Sequence, residues 1–247
     1  MTELVPLEDA RGTFMTHREA FGIADDAPWE LPFRSFLARL AGAVVLVDTG
    51  VGPPDDDPFL PDRQGRLPEE LARVGVVPAD VDLVVHTHLH VDHVGWNMLD
   101  GQPFFPNARY VAHATDFAHF TASASRQYVA EQLLGLRDSG RLELIDEDGP
   151  VAPGVTVTHL PGHSPGHCTV ELAGVLVLGD AVVHELQLAD PDRGYVAEAD
   201  QGEAARARRR LLPALADSET VVALGHLPGG IGRIRRAGDA FAWQPRD

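Results

Sequence analysis

Short apolar runs rich in valine and leucine recur along the chain, separated by polar segments. Runs of this length and composition predict buried β-strands, here over residues 44–48, 82–86, 108–111, 155–159, 168–172, 175–179 and 221–224. Longer amphipathic segments lie between some of them and predict helices over residues 67–75, 123–140 and 200–218. Pro213 is expected to interrupt the last helix, because proline has no N–H to donate within a helix.

The order of these elements is mixed. Residues 168–180 have the pattern of a β-hairpin, whereas other strands alternate with helices. This order predicts an α/β fold of two or four layers and not a simple parallel sheet. There is no linker long enough to separate two domains, so residues 1–247 are expected to form a single domain. The Pro/Gly-rich segment 50–66 predicts a surface loop, and the basic segment 205–212 predicts a solvated helix face.

The net charge of −17 limits the classes of partner. Such a charge repels nucleic acid and anionic membranes, and no segment approaches the roughly 20 apolar residues that span a bilayer. The first residues are acidic and lack the pattern of a signal peptide, so we expect a cytoplasmic protein; a homodimer is compatible with the sequence. The one cysteine, Cys168, excludes an internal disulfide and is expected to be a small buried residue at a strand start.

Residues 86–95, HTHLHVDHVG, contain four histidines and an aspartate directly after a predicted strand. Alternate residues of an extended chain point the same way, so His88 and His90 can face one point. Asp92 and His93 are neighbours and can face a second point nearby. Imidazole and carboxylate groups suit Zn²⁺, Fe or Mn, and the cluster therefore predicts a metal site.

Further ligands must come from distant parts of the chain, and three predicted strand ends offer them. LPGHSPGHCTV contains His163 and His167, GVLVLGDA contains Asp180, and TVVALGHLPGG contains His226. Each segment combines an apolar run with a glycine next to a candidate ligand, and this repetition predicts that the strand ends converge on one cleft. Structural zinc sites are closed and rich in thiolate, so these residues favour a catalytic site over a non-catalytic one.

The motifs THLHVDH, PGHSPGH, GDA and GH occur in this order and resemble those of the metallo-β-lactamase fold superfamily. VLVDTG, residues 45–50, resembles the aspartate-bearing strand that precedes them in that family. The resemblance spans about residues 30–236. It implies an α/β fold of the αββα sandwich type, with mixed sheets, helices on the outer faces and a dinuclear metal site between the sheets.

The resemblance also implies a role for each matching residue. It gives the first metal to His88, His90 and His163, the second metal to Asp92, His93 and His226, and a bridging position to Asp180. Asp48 would be a buried acid behind the ligands, and His167 would orient its neighbours without binding metal. Two divalent ions are implied, with Zn²⁺ as the first choice and Fe or Mn as alternatives.

Two such metals activate water at neutral pH and polarise the substrate. The implied reaction is therefore hydrolysis of an ester or lactone bond of a small molecule by a metal-bound hydroxide, with Asp92 protonating the leaving group. Ser164 is not expected to be a nucleophile, because it lacks the G-x-S-x-G elbow. The alternatives are a thioesterase, a phosphotriester or aryl ester hydrolase, a mononuclear iron persulfide dioxygenase and a non-catalytic metal-binding protein.

Several segments resemble the lactonase-like and organophosphate-hydrolase-like branch of the superfamily. Lactonases of this branch typically have a tyrosine three residues after the bridging aspartate, but Val183 stands at that position. The next residue, His184, is the candidate for the missing hydrogen bond to the substrate, and a place at the rim of the site is the alternative. Candidates for an apolar pocket wall, with core packing favoured for each of them, are Trp29, Phe33, Phe36, Trp96, Phe104 and Phe105.

Overall fold

Two mixed β-sheets face each other and enclose a shared apolar core. The computed structural model describes residues 3–40, 42–53, 64–122 and 127–246. Within these residues a sheet of six strands faces a sheet of seven, and helices pack on the outer side of both sheets. This arrangement confirms the αββα sandwich. Among the described residues, no helix has both the length and the apolar composition needed to cross a bilayer.

The strands are, in chain order, β1 (Leu4–Thr16), β2 (Pro28–Leu40), β3 (Ala43–Val47), β4 (Leu83–Val85), β5 (Met98–Leu99), β6 (Gln102–Pro103), β7 (Arg109–His113), β8 (Leu142–Ile145), β9 (Gly149–Ala152), β10 (Val155–His159), β11 (Cys168–Leu172), β12 (Val175–Val177), β13 (Val221–Ala223), β14 (Ile231–Ala237) and β15 (Ala240–Pro245). The first sheet has the order β1-β2-β3-β4-β7-β8, and the second has the order β15-β14-β13-β12-β11-β10-β9. The seven predicted strands correspond to β3, β4, β7 and β10 to β13.

The helices are α1 (His17–Phe21), α2 (Leu67–Arg73), α3 (Val91–Val94), α4 (Ala114–Thr121), α5 (Gln127–Asp138), α6 (Glu185–Ala189) and α7 (Gln201–Ala216), with a short 3-10 helix at Pro78–Asp80. The predicted helices correspond to α2, α5 and α7. The first four residues of the predicted helix over 123–140 lie outside the described residues.

Alternation along the strands divides the apolar side chains between the layers. Val45 and Val47 of β3 point into the core between the sheets, whereas Leu46 points outward to the helices α2 and α5. On the opposite sheet, Ala223 of β13 lies in the shared core and Val222 packs on the side of α7. Each sheet is therefore covered on both faces, which explains why its central strands are short, continuous apolar runs.

Both sheets contain a parallel pair of strands whose carboxyl ends reach the same edge of the sandwich. In the first sheet β3 is parallel to β4, and in the second β12 is parallel to β13. β10 runs in the same direction as β12, because both are antiparallel to β11. A hydrogen bond of 2.7 Å from the N–H of Cys168 to the carbonyl of Thr87 joins the two sheets at this edge. The loops that follow these strands are consequently gathered in one place.

The hairpin of β1 and β2 was not predicted from the sequence. Each strand has 13 residues, and the two pair antiparallel along most of their length. β2 shows an almost unbroken run of buried residues, so it lacks the alternation of polar and apolar positions that identifies a half-exposed strand. Because both faces of the hairpin contact other residues, its sequence does not show the alternation of polar and apolar positions.

The expected interruption of the last helix at Pro213 is wrong. Helix α7 continues from Gln201 to Ala216 with Pro213 inside it. Proline removes a single backbone hydrogen bond there, close to the end of the helix. Leu212 and Leu215 on either side are buried in the cluster that covers the second sheet, and this packing holds the last turn in place.

The predictions for two further polar segments are wrong in part, because each segment contains a buried residue. The segment 205–212 is not simply a solvated face, because Arg208 is fully buried and forms an ion pair with buried Glu198. The segment 50–66 is not wholly a surface loop, because Val51 is only 1% exposed; residues 54–63 lie outside the described residues. The prediction for Cys168 is confirmed, since it is buried at the start of β11 and burial raises the pKa of its thiol to about 12.

Asp9 of β1 is a fully buried carboxylate that fixes the backbone beside the site edge. It accepts hydrogen bonds from the N–H groups of Val51 and Leu67, both 2.6 Å, and from the indole N–H of Trp96, 3.1 Å. Burial raises the pKa of Asp9 to about 6, although these hydrogen bonds lower it. A Cβ on Gly50 would lie 2.2 Å from its carboxylate oxygen, so the contact also requires glycine at that position.

We predict a pH-dependent loss of stability caused by Asp9. Because its pKa is about 6 in the fold against an ordinary 3.8, the native state binds this proton more tightly than the unfolded chain, and stability falls as the pH rises between these values. Two pKa units correspond to about 3 kcal/mol. In urea unfolding of metal-free protein, the stability of the wild type relative to Asp9→Asn should fall by about 3 kcal/mol between about pH 4 and pH 7, because all the other titrating groups are common to both proteins. Identical pH dependence in both proteins would contradict the prediction.

Candidate metal centre

The predicted ligands all lie at the edge of the sandwich where the parallel strands end. Asp48 follows β3, and residues 86–93 follow β4. From the opposite sheet, the loop between β10 and β11 carries His163 and His167, while Asp180 and His226 follow β12 and β13. The structure therefore brings together side chains that are up to 178 residues apart, from 48 to 226, in the sequence.

A first group consists of His88, His90 and His163, whose ring nitrogens lie close enough to share one cation. The Nε2 of His88 is 3.0 Å from the Nδ1 of His90, and that Nδ1 is 2.8 Å from the Nε2 of His163. Two of the three rings, those of His88 and His163, are almost completely buried. Three imidazole nitrogens facing one point are a ligand set suited to zinc.

A second group consists of Asp92, His93 and His226, again with ligand atoms within reach of one cation. The Oδ2 of Asp92 is 3.5 Å from the Nε2 of His93 and 3.5 Å from the Nε2 of His226. His93 lies in α3, the short helix that begins directly after His90. The helical turn thus places the two halves of one sequence motif in two different groups of candidate ligands.

Asp180 lies between the two groups. Its Oδ2 is 3.4 Å from the Nε2 of His163 in the first group, and 3.6 and 3.2 Å from the Nε2 atoms of His93 and His226 in the second. The preceding residue, Gly179, has a φ of +53°, and a Cβ there would lie 2.7 Å from the Nε2 of His167. Only glycine allows the backbone to turn Asp180 into this position.

The protonation of His88 and Asp180 fits cation binding. Burial and the neighbouring positive rings lower the pKa of His88 well below its ordinary value, which leaves a neutral imidazole. Burial disfavours the charge of Asp180, but His226 and His93 lower the pKa of its carboxyl well below the usual range. Neutral imidazole and ionised carboxylate are the forms that bind metal.

Unpaired atoms in the centre point to the same conclusion. Among the described residues, the Nε2 of His93 and the Oδ1 of Asp180 are buried without a hydrogen-bond partner. Burial works against a charge on His93, yet Asp92 and Asp48 raise its pKa well above the ordinary value. Such groups are costly to bury unless a proton or a cation compensates them. The residues present therefore fit a pair of divalent cations.

A second layer of side chains holds the ligands in orientation. Asp48 accepts hydrogen bonds from the N–H and hydroxyl of Thr87, 2.8 and 2.7 Å, and contacts the Nδ1 of His93 at 2.8 Å. Its φ of +60° is unusual for a residue with a side chain and places local strain at the site. His167 accepts a hydrogen bond of 3.0 Å from the N–H of Asp180, in line with the predicted orienting role.

His184 lies away from the candidate ligands. Its Nδ1 accepts a hydrogen bond of 3.0 Å from the N–H of Leu186 and caps helix α6. The ring packs against Phe21, Trp29 and His17, with centroids 5.1 to 5.4 Å away. Burial lowers the pKa of His184 to about 4. A hydrogen bond from His184 to a substrate stays a prediction. Because the Nδ1 of His184 caps α6, only the Nε2 could form that bond.

A cavity of about 720 Å³ opens above the candidate ligands. His90, Asp92, His163, Asp180 and His226 form part of its floor. The rest of its lining is mostly apolar and includes Met15, Trp29, Leu31 and Phe33 from the β1–β2 hairpin and Phe120, Tyr128 and Val129 from α4 and α5. Of the predicted wall residues, Trp29 and Phe33 line the cavity, whereas Phe36, Trp96, Phe104 and Phe105 pack in the core.

Tyr195 lines this cavity and was not predicted as a site residue. It is 6% exposed, and its ring stacks on His163 with 6.1 Å between centroids and 12° between planes. Burial and the charges of Asp92 and Asp180 raise the pKa of its hydroxyl, which therefore keeps its proton. Tyr195 follows no motif, and its position depends on contacts that are distant in sequence.

Those contacts come from a buried polar network. Tyr195 donates its backbone N–H to Glu198 at 3.1 Å, and its carbonyl accepts from the amide of Gln201 at 3.1 Å. Glu198 in turn pairs with Arg208, which also donates to the carbonyls of Pro191 and Arg193, both 2.9 Å. The segment that carries Tyr195 is thus held rigidly over the ligands.

The family model described as the metallo-beta-lactamase superfamily matches residues 34–226. The chain therefore belongs to the metallo-β-lactamase superfamily, as the sequence motifs indicated. The matched region begins within β2 and ends at His226, so it includes every candidate ligand.

Among curated proteins, an N-acyl homoserine lactonase of Bacillus sp is 30% identical over 152 residues, 56% of this chain and 57% of that protein. The N-acyl homoserine lactonase AiiB of Agrobacterium fabrum is 27% identical over 192 residues, 66% of this chain and 68% of that protein. The chain thus spans little more than half the length of the Bacillus relatives that it matches.

Solved structures share the whole fold. The dizinc quorum-quenching lactonase AidC, in complex with a product, superposes with a TM-score of 0.89 at 19% identity, covering 100% of this chain and 95% of the other. The hydrolase AbOPH superposes with a TM-score of 0.86 at 24% identity, covering 100% and 94%. At these identities the likeness establishes the fold.

We predict that Asp48→Asn weakens metal binding. The carboxylate of Asp48 fixes the ring of His93 so that its Nε2 faces Asp92 and Asp180, and residues with this function typically change metal affinity by about 10- to 100-fold. A titration of Zn²⁺ against a chromophoric chelator measures the effect. Asp26→Asn, at an exposed ion pair with Arg18, is the control. Equal affinity in the Asp48 variant and the wild type would count against this role.

Proposed function

We propose that this chain is a metal-dependent hydrolase that opens the ester bond of a lactone, with N-acyl homoserine lactones as the substrate class. The observation that carries the proposal is the location of two groups of candidate ligands at the floor of an apolar cavity. Polar groups at the floor can act on an ester, and apolar walls suit an acyl chain. The curated relatives, which are named N-acyl homoserine lactonases, support the same substrate class.

The ligand set supports two divalent cations with Zn²⁺ as the first choice, because imidazole and carboxylate ligands without thiolate are typical of catalytic zinc. When bound, such ions activate water and polarise a carbonyl oxygen. In this proposal His88, His90 and His163 would hold the first ion, Asp92, His93 and His226 would hold the second, and Asp180 lies between these two groups of side chains.

The residues of the chain supply orientation and proton transfer. Trp29 and Phe33 on one side and Phe120 on the other exclude water from the acyl group and direct the ester to the floor of the cavity. Asp92 faces the cavity, and although burial raises its pKa, His93 and His226 lower it below the ordinary value. The ionised carboxylate can accept the proton that the attacking water loses and return it to the leaving alkoxide.

Tyr195 is proposed as the hydrogen-bond donor to the substrate carbonyl. It stacks on His163 at the cavity floor, and its raised pKa keeps the hydroxyl protonated as a donor. A fixed donor of this kind stabilises the negative charge that develops on the oxygen as the ester is attacked. Tyr195 would thus supply the group that is absent at Val183.

We predict that purified protein hydrolyses N-acyl homoserine lactones and loses this activity when a chelator removes its metal, because the hydroxyl of Ser164, which also lines the cavity, is bound to Asp116 and lacks the G-x-S-x-G elbow of a serine nucleophile. The measurement is turnover on acyl homoserine lactones, aryl esters, thioesters and phosphotriesters, with and without chelator and re-added Zn²⁺. Oxygen uptake with a persulfide is measured on the same sample.

Turnover confined to thioesters or phosphotriesters, or oxygen uptake with the persulfide, would overturn the substrate class. Activity that survives complete removal of metal would overturn the reaction type. The same assay tests proton transfer by Asp92, because an Asp92→Asn variant with its full metal content should lose most of its turnover. Full turnover in that variant would remove Asp92 from the mechanism.

We predict that Tyr195→Phe lowers kcat/KM by about 10- to 100-fold, the effect expected for loss of one donor to a developing oxyanion. Metal content and the fold should be unchanged, because the backbone contacts of residue 195 remain. His184→Asn is the matched variant, since asparagine can still cap α6 but lacks the Nε2. If the asparagine variant loses activity and the phenylalanine variant does not, the hydrogen bond belongs to His184.

A further inference from the structure

Asp116 is a buried carboxylate outside the ligand motifs. It lies in the first turn of α4 and is 0% exposed. Burial raises the pKa of Asp116, even though several hydrogen bonds favour its charge. A buried carboxylate is retained only where its hydrogen bonds compensate the loss of water, so its partners show what it holds together.

Those partners belong to both loops that carry the first ligand group. The carboxylate accepts hydrogen bonds from the N–H of Leu89 at 3.1 Å, from the hydroxyl of Ser164 at 2.7 Å and from the N–H of Gly166 at 2.5 Å. Leu89 stands between His88 and His90. Ser164 follows His163 directly.

Packing on the same helix strengthens this connection. The side chain of Leu89 is fully buried in a cluster with Phe120 of α4 and Val129 and Leu133 of α5. Gly166 passes so close that a Cβ would lie 2.6 Å from the backbone nitrogen of Asp116. Helix α4 therefore contacts the first loop through the backbone and side chain of Leu89, and the second through hydrogen bonds from Ser164 and Gly166.

The distance between the two loops decides whether the first group can hold a cation. Zn–N bonds of about 2.0–2.1 Å in tetrahedral geometry need ligand nitrogens about 3.3–3.4 Å apart. His90 and His163 come from different loops, and their nitrogens are 2.8 Å apart. Binding one cation would therefore move these two nitrogens apart by about half an ångström, so the two loops must be held close to this spacing.

We propose that Asp116 is a positioning residue of the metal centre: its single carboxylate, bound to Leu89, Ser164 and Gly166, sets the spacing of the two loops that carry His88, His90 and His163. Asp116 belongs to neither ligand group and does not line the cavity. The inference rests on the proposed function insofar as that function needs metal in the first group.

Asparagine at position 116 has the same shape but one acceptor oxygen. In either orientation of the amide, its NH₂ group faces the N–H of Leu89 or of Gly166, and one backbone donor loses its acceptor. The variant therefore loosens one loop relative to the other without creating a cavity. Ser164→Ala is milder, because it removes only one of the three bonds.

The test is a titration of Zn²⁺ against a chromophoric chelator for the wild type, Asp116→Asn, Ser164→Ala and Asp9→Asn. In Asp116→Asn, one of the two binding steps should weaken by about 10- to 100-fold while the other is unchanged, and Ser164→Ala should weaken the same step by less. Asp9→Asn is the matched control, since Asp9 is equally buried and triply bonded but its hydrogen bonds go to Val51, Leu67 and Trp96 and not to residues 88–90 or 163–166.

The outcomes separate the two proposals. Two zinc ions in the wild type with unchanged binding in both Asp116→Asn and Ser164→Ala would overturn the role of Asp116 and leave the proposed function intact. Equal weakening in Asp9→Asn would reduce Asp116 to a contributor to general stability. Absence of zinc binding by the wild type would overturn the proposed function itself. If Asp116→Asn fails to fold, the selective effect of Ser164→Ala decides.

Discussion

The burial of many polar side chains at one edge of a β-sandwich is the constraint on which the rest of the structure depends. Five imidazoles and two carboxylates meet there, most of them with little access to water. Each group alone would be costly to bury. Together they compensate one another only in part, and atoms of His93 and Asp180 keep no hydrogen-bond partner among the described residues. These unpaired atoms, together with the grouping of the side chains, fit the binding of cations.

The candidate ligands lie on loops that have no regular backbone hydrogen bonding of their own. The surrounding structure must therefore fix the position of these loops. Buried carboxylates recur for this purpose. Asp48 holds Thr87 and His93, Asp116 joins two ligand loops, and Asp9 fixes Val51 and Leu67. A carboxylate can accept hydrogen bonds from several backbone N–H groups at once. One side chain can therefore supply the backbone hydrogen bonds that a loop lacks because it is not paired as a strand. The same hydrogen bonds offset the cost of burying these acids.

The cavity above the candidate ligands is built from several elements of the same framework. Its apolar walls come from the β1–β2 hairpin on one side and from α4 and α5 on the other, whereas its polar floor comes from the strand ends. The segment with Tyr195 covers the floor and is held by the buried pair of Glu198 and Arg208. Walls and floor thus belong to different elements, so the walls can vary without disturbing the ligands.

The sequence by itself determined the central strands, the class of fold and the residues that meet at the strand ends. It could do so because short apolar runs identify strands buried on both faces, and because the ligand types and their spacing are local properties of each motif. The passage of α7 through Pro213 could not be predicted in this way, since the packing of Leu212 and Leu215 overrides a local preference.

Only the tertiary structure decided which other residues take part in the site. Tyr195, Asp116 and the wall residues of the β1–β2 hairpin lie in no motif, and burial gives the hairpin strand β2 no alternating pattern. His184 stands next to the position where a tyrosine was expected, yet its ring turns toward Phe21 and Trp29 because it caps α6. Proximity in the chain identifies ligands within a motif, whereas the partners that hold and complement them depend on contacts between distant segments.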